Sequence, residues 1–214
     1  MKRIIALGLF LVFFASGAFA MDMAVGGGFM YNYSKTFGVF EETYYYYGEE
    51  LSISRNGVGG FAFFGVGRFL ELNLGFLYKI PKTMGYKIKS DGETIGESEM
   101  DVSSLIDGTP ALQFGAYFKY PFVLSDVLVL FPTVGLDYEL TIAKKTEGWW
   151  DDLWIRGGLG LDIFFTERLF LRSHFIYGIG VVIGKNDSVF YELDVVDKNY
   201  SHSLLLKFGL GFMF

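Results

Sequence analysis

The chain has no cysteine. That excludes a disulfide framework, a thiolate metal site and a lipid-modified cysteine behind a leader. Long apolar runs are also missing: beyond Phe14 no stretch reaches roughly 18 residues without a charged or polar interruption, so no later segment qualifies as a spanning helix. Basic residues are few, 18 Lys and Arg against 24 Asp and Glu in 214 residues. Setting Lys2 and Arg3 aside leaves 16 against 24, a net charge of −8, which argues against a nucleic-acid partner. Histidine occurs only as His174 and His202. A lone imidazole with no second ligand and no nucleophile beside it has little chemistry. No catalytic, cofactor-binding or metal site is therefore expected.

What is present begins with a leader. Lys2 and Arg3 precede an apolar core from Ile4 to Phe14, and Ala18-Phe19-Ala20 forms an A-x-A cleavage site. Residues 1–20 are expected to be a cleaved signal peptide and residues 21–214 one domain. Aromatic content of 19% and 28 glycines are both high for an ordinary soluble domain.

Period-two alternation recurs from Met23 to the last residue and predicts strands with two unlike faces. In the last segment Leu204, Leu206, Phe208, Leu210, Phe212 and Phe214 share one face, and Ser203, Lys207, Gly209 and Gly211 share the other. The segments 70–79, 128–140 and 152–165 repeat the pattern, and Met23–Ser34, Leu112–Tyr120 and Leu169–Val181 follow it more weakly. Gly57–Gly67 is a further strand, too rich in glycine and phenylalanine to reveal its inward face. Eight strands result, joined alternately by short turns (68–69, 121–126, 166–168) and by long polar connections (35–56, 81–109, 143–151, 182–200). An even strand count with short turns at one end and long loops at the other predicts a closed, eight-stranded, antiparallel, up-and-down transmembrane β-barrel.

A soluble, lipocalin-like barrel would place the oily face inside instead. Two features weigh against it. The other face would then expose Gly26, Gly28, Gly75, Gly135, Gly158 and Gly209, among others, although glycine weakens a strand unless the site demands a small residue. A narrow lumen makes that demand. The polar face also carries charges that match across hairpins. A turn centred on Glu167 sets Asp162 opposite Arg172, and a hairpin folded near Glu147 brings Asp137 and Glu139 beside Arg156. Such register is worth several kcal/mol in a confined lumen and little on a wet surface. His174, two residues beyond Arg172, is expected on the same inward face as a structural histidine. Tyr138, Trp149, Trp150 and Tyr177 are candidates for an interfacial aromatic belt, with Phe212 and Phe214 at the opposite rim.

Lys207, Gly209, Phe212 and Phe214 place a polar residue, a glycine and two aromatics at the spacing of the terminal assembly signal of bacterial outer-membrane barrel proteins. Through these residues, the leader and the strand count, the chain resembles the small eight-stranded outer-membrane barrels of the OmpA, OmpX and OmpW kind, and a periplasmic extension like that of the first is not expected. The resemblance implies residence in the outer membrane among its lipids and recognition by the barrel-assembly machinery during biogenesis. Some barrels of this size are lipid-A deacylases with a serine and histidine two apart on the lipid-facing wall. Here Ser201 and Ser203 are immediate neighbours of His202 and point the other way, so an enzyme is not expected. The glycines of 178–185 have the wrong spacing for a phosphate loop. The long loops carry net charges of −3 (81–109) and −2 (182–200), and they are the expected meeting place for an extracellular partner. A rigid, plugged surface protein, a narrow channel or lateral pathway for small solutes, and, least expected, a lipid-modifying enzyme are the roles left open.

Overall fold

A computed structural model describes residues 23–41, 47–90, 93–142, 151–183 and 198–214. Within them the chain is all β: β1 (Met23–Glu41), β2 (Tyr47–Val66), β3 (Leu70–Ser90), β4 (Glu93–Asp101), β5 (Thr109–Lys119), β6 (Phe122–Ser125), β7 (Leu128–Thr141), β8 (Asp151–Phe164), β9 (Leu169–Ile183) and β10 (Lys198–Met213). Eight of these form a closed antiparallel ring in the order β1-β2-β3-β5-β7-β8-β9-β10, and β10 returns to β1. The seam runs in unbroken register from Ala24↔Met213 to Val39↔Lys198. Reciprocal backbone bonds between Met23 and Phe214, at 3.3 and 3.0 Å, finish it at the rim. Closure leaves no strand edge around the ring, where an unpaired peptide group facing hydrocarbon would cost several kcal/mol.

Alternation sets the two faces as expected. Outward side chains are large and apolar and remain exposed: Phe29 (80%), Leu74, Leu136, Ile155, Phe175 and Phe208. Inward ones are buried and largely polar, including Glu71, Asp137, Arg156, Arg172 and Lys207. A soluble barrel would show the reverse, so the soluble alternative is excluded and this exterior is built for hydrocarbon. The glycines named above all fall on the inner face, where neighbours fill the space of a side chain. At Gly28 a Cβ would run into the Phe208 carbonyl and Gly209 Cα, both backbone. Among the described residues Gly67 alone sits at positive φ (61°), in the tight turn between β2 and β3.

Two expectations need correction, and the inward face of Gly57–Gly67, left open by the sequence, is assigned. The first three strands, of 19, 20 and 21 residues, are about twice the ~9–11 needed to cross a bilayer, so most of the stretch read as a loop at 35–56 is strand. The stretch 81–109 likewise holds the end of β3 and all of β4, which pair from Ser90↔Glu93 to Thr83↔Asp101. β4 pairs with β3 only and β6 with β7 only, so both stand off the ring. Finally, β2 turns Phe61 and Phe63 inward and Val58 and Phe64 outward. Its large apolar side chains lie on both faces, and sequence alternation alone could not assign them. The Tyr44–Tyr47 run falls outside the described residues except for Tyr47, which opens β2.

Beyond the apolar wall the ends of β1, β2 and β3 continue the same sheet, with β4 paired to β3. Pairing of β2 with β3 skips Lys82 between Ser54↔Thr83 and Arg55↔Pro81, a bulge that reverses which residues of β3 face inward. Beyond it Lys89 donates to Glu50 at 2.9 Å, and that bond holds the ammonium pKa above its ordinary value.

Candidate functional site

The lumen is filled by two tiers of charge, each assembled from strands distant in sequence. In the tier nearer the short turns, Arg172 donates from Nε and one terminal nitrogen to the two oxygens of Asp162, at 2.7 and 2.5 Å. Its other terminal nitrogen donates to Glu71 Oε2 at 2.5 Å. Lys119 reaches the same oxygen at 3.4 Å, and Asn73 donates to Glu71 Oε1 at 3.0 Å while accepting from Lys207 at 3.2 Å. The guanidinium of Arg172 lies 4.5 Å from the Phe63 ring centre and 4.8 Å from that of Phe170, so apolar rings seal the cation from below. This explains the inward phenylalanines of β2.

The upper tier centres on Arg156, which is fully buried (0% exposed). Its Nε lies 2.5 Å from Asp137 Oδ2, and its terminal nitrogens donate to Glu139 at 2.9 Å and to Ser203 Oγ at 2.7 Å. Asp137 also accepts from Tyr117 and, at 2.7 Å, from Gln113. Lys79 bridges Glu139 and Asp152, while Arg55 bonds Thr36 at 3.3 Å. Arg55, Lys79 and Arg156 thus meet Asp137, Glu139 and Asp152 in equal number. Lys207 stands between the tiers, in the field of both Asp137 and Glu71, and in the other tier Lys119 and Arg172 pair with Glu71 and Asp162. His174 is buried there with neither ring nitrogen hydrogen-bonded among the described residues, and its Nε2 lies 3.8 Å from Glu71 Oε1.

Among the residues singled out from sequence, Asp162 and Arg172 are register partners. Arg156 faces Gly135, not Asp137, because the β7–β8 hairpin is shifted from the expected centre, and it reaches Asp137 and Glu139 diagonally. Glu71, Lys79, Lys119 and Asp152 complete the network. Each lies on a polar strand face, yet partners from other hairpins leave no local spacing to reveal them. Lys207 points into the lumen (0% exposed), over the Tyr117 ring at 4.9 Å. A side chain at Gly209 would collide with the Gly27 carbonyl, and Phe212 and Phe214 project outward at the short-turn rim.

Tyr138 and Tyr177 also face outward, bonded to Asp151 and His202 at 2.5 Å each. Trp149 and Trp150 lie outside the described residues. Tyr31, Tyr33 and Tyr78 join the two tyrosines near the loop end of the wall, and phenylalanines dominate the opposite rim. Ser201 and Ser203 point into the lumen, where they bond Thr36 and Arg156, so neither can serve His202 on the other face.

No family model matches the chain, and no curated protein matches it. Among solved structures it is similar to the outer membrane protein OprG from Pseudomonas aeruginosa at 13% identity, over 91% of this chain and 96% of that one, with a TM-score of 0.47. The N-terminal β-barrel domain of Pseudomonas aeruginosa OprF matches at 15% identity over 88% and 99% of the two chains, with a TM-score of 0.34. The outer membrane protease OmpT from Escherichia coli matches at 7% identity over 90% and 96%, with a TM-score of 0.39. The chain itself is a closed eight-stranded antiparallel barrel whose apolar side faces out.

Proposed function

We propose that the chain is an integral outer-membrane protein, exported by a leader over residues 1–20, whose lumen is a rigid plug and whose loop side meets an extracellular partner. The burial of Arg156 carries this reading. Its guanidinium joins β8 to Asp137 and Glu139 on β7 and to Ser203 on β10, across the middle of the lumen. Opening a path there would strand buried charges, at about 3 to 5 kcal/mol for each broken pair. The long β1–β3 strands and the acidic β4, with Glu93, Glu97, Glu99 and Asp101 all exposed, supply the surface for a partner. Phe212 and Phe214 would present the chain to the barrel-assembly machinery.

A narrow pathway for small solutes is the second reading. It is favoured by the small excess of buried cations in the lumen, Arg55, Lys79, Lys119, Arg156, Arg172 and Lys207 against Glu71, Asp137, Glu139, Asp152 and Asp162 among the described residues, and by the unbonded His174. Planar-bilayer recording separates the two. The plug predicts no steady unitary conductance in the unmodified protein and its appearance on Arg156→Ala. Steady conductance in the unmodified protein, altered by Arg172→Ala, would establish the pathway instead.

A further inference from the structure

The outer wall has a polar interruption that the lumen does not explain. Lys35 on β1 and His202 on β10 are register partners across the closing seam, with Tyr33 and Leu204 one outward step below and Phe37 and Tyr200 one step above. Phe37 and Tyr200 stack at 4.9 Å with an interplanar angle of 12°, and His202 meets both edge-on at 6.0 and 5.6 Å. Lys35 Nζ lies 5.4 Å from the Phe37 ring centre, and no carboxylate among the described residues pairs with it. The Tyr177 hydroxyl lies 2.5 Å from His202 Nδ1. When that hydroxyl donates, the neutral imidazole carries its proton on Nε2 and offers it as a donor.

The height of the patch identifies its ligand. On β10 the outward apolar run extends from Phe214 to Leu204. At ~3.3 Å per residue and ~45° tilt those ten steps climb about 23 Å, close to the ~25 Å apolar band of such barrels. Lys35 and His202 are therefore the first side chains above the hydrocarbon, on the loop side, where lipid phosphates lie. We infer that Lys35 and His202 bind the phosphate of an anionic lipid in the leaflet on the loop side, Lys35 as a point charge and His202 through Nε2, with Phe37, Tyr177 and Tyr200 holding the imidazole. The inference rests on the membrane-barrel reading above.

The test uses the full chain refolded into phosphatidylcholine vesicles with and without phosphatidylglycerol, extracted in detergent, with retained lipid counted by native mass spectrometry. The wild type retains phosphatidylglycerol over phosphatidylcholine. Lys35→Gln lowers that preference about fivefold, the ratio matching ~1 kcal/mol per basic residue at a membrane surface. His202→Gln lowers it as well, Lys35→Arg restores it, and Lys87→Gln, on the distant β3–β4 hairpin beside Glu97, leaves it unchanged. Phosphatidylglycerol, and not inorganic phosphate in pure phosphatidylcholine, raises the urea midpoint. Equal retention of the two lipids by the wild type, or an unchanged Lys35→Gln, overturns the site. A rise with inorganic phosphate as large as with phosphatidylglycerol overturns the lipid assignment. Each variant keeps a heat-dependent mobility shift on gels, because these outer-face substitutions open no cavity. Loss of that shift in the wild type would overturn the barrel reading itself.

Discussion

Asp162 and Arg172 sit directly opposite one another across the β8–β9 hairpin, joined by two hydrogen bonds inside a lumen that admits almost no water to either. Replacing either by Ala alone leaves a buried charge without its partner and should lower stability by about 3 to 5 kcal/mol. The double replacement should cost clearly less than the sum of the single ones. Urea titration of the vesicle-embedded protein, arranged as a double-mutant cycle, measures the coupling. Additive losses would mean that Glu71, which also holds Arg172, carries the energy alone.

The outward wall makes its own demand. Val134 is half exposed in the outward row of β7, between Gly157 and Phe118. Lysine there should cost about 2 to 4 kcal/mol if the wall faces mid-bilayer hydrocarbon. The expected result is a weaker compact band when unboiled protein is run on a gel. An undiminished band would place Val134 outside the bilayer.

Glycines on the two faces should differ in tolerance. Gly28→Val drives a side chain into the backbone of β10 and should cost at least the ~1 to 3 kcal/mol of core overpacking, enough to lower the folded yield visibly. At Gly157, on the outer wall, the nearest atom to a new Cβ is the Thr133 carbonyl at 3.9 Å. Gly157→Ala should therefore refold as well as the wild type, with circular dichroism and gel mobility as the readouts.

The β3–β4 hairpin is separable from the ring. Thr83 and Asp101 are register partners at its base, and joining them through an Asn-Gly turn removes β4 and the end of β3, with the β2–β3 pairs from Ile53↔Met84 to Tyr47↔Ser90, but leaves every β2–β3 pair from Ser54↔Thr83 to Val66↔Leu70 in place. The shortened protein should keep its heat-dependent mobility and its urea midpoint, while losing any partner that binds the acidic hairpin. A collapse of the midpoint would show that β4 supports the barrel.

The ring itself was legible because lipid and lumen impose opposite chemistries on neighbouring residues, and Leu204 to Phe214 records this directly. Asp162 and Arg172 were legible for a second reason, since a three-residue turn fixes their register. Glu71 and Arg172 lie 101 positions apart, and Lys207 and Asn73 lie 134 apart. Only ring closure brings such pairs together, and no local spacing encodes it. The lengths of β1 to β3 were hidden because beyond the apolar wall the two faces no longer differ in chemistry: Glu50, Ser52 and Ser54 are buried on one face of β2 and Ile53 on the other, so the alternation fades. Phe61 and Phe63 left the inward face of β2 undecided because they are greasy rings turned into the lumen, where each lies against a buried cation, Lys207 and Arg172.

The uneven distribution of aromatics sets the depth of the molecule. Tyr31, Tyr33, Tyr78, Tyr138 and Tyr177 crowd one rim, while Phe69, Phe118, Phe165, Phe212 and Phe214, together with Tyr120, crowd the other. A hydroxyl-bearing ring gains nothing by sinking and a bare ring gains nothing by rising into water. Vertical drift in either direction is thus opposed by one circle of side chains or the other, like a float trimmed at both ends.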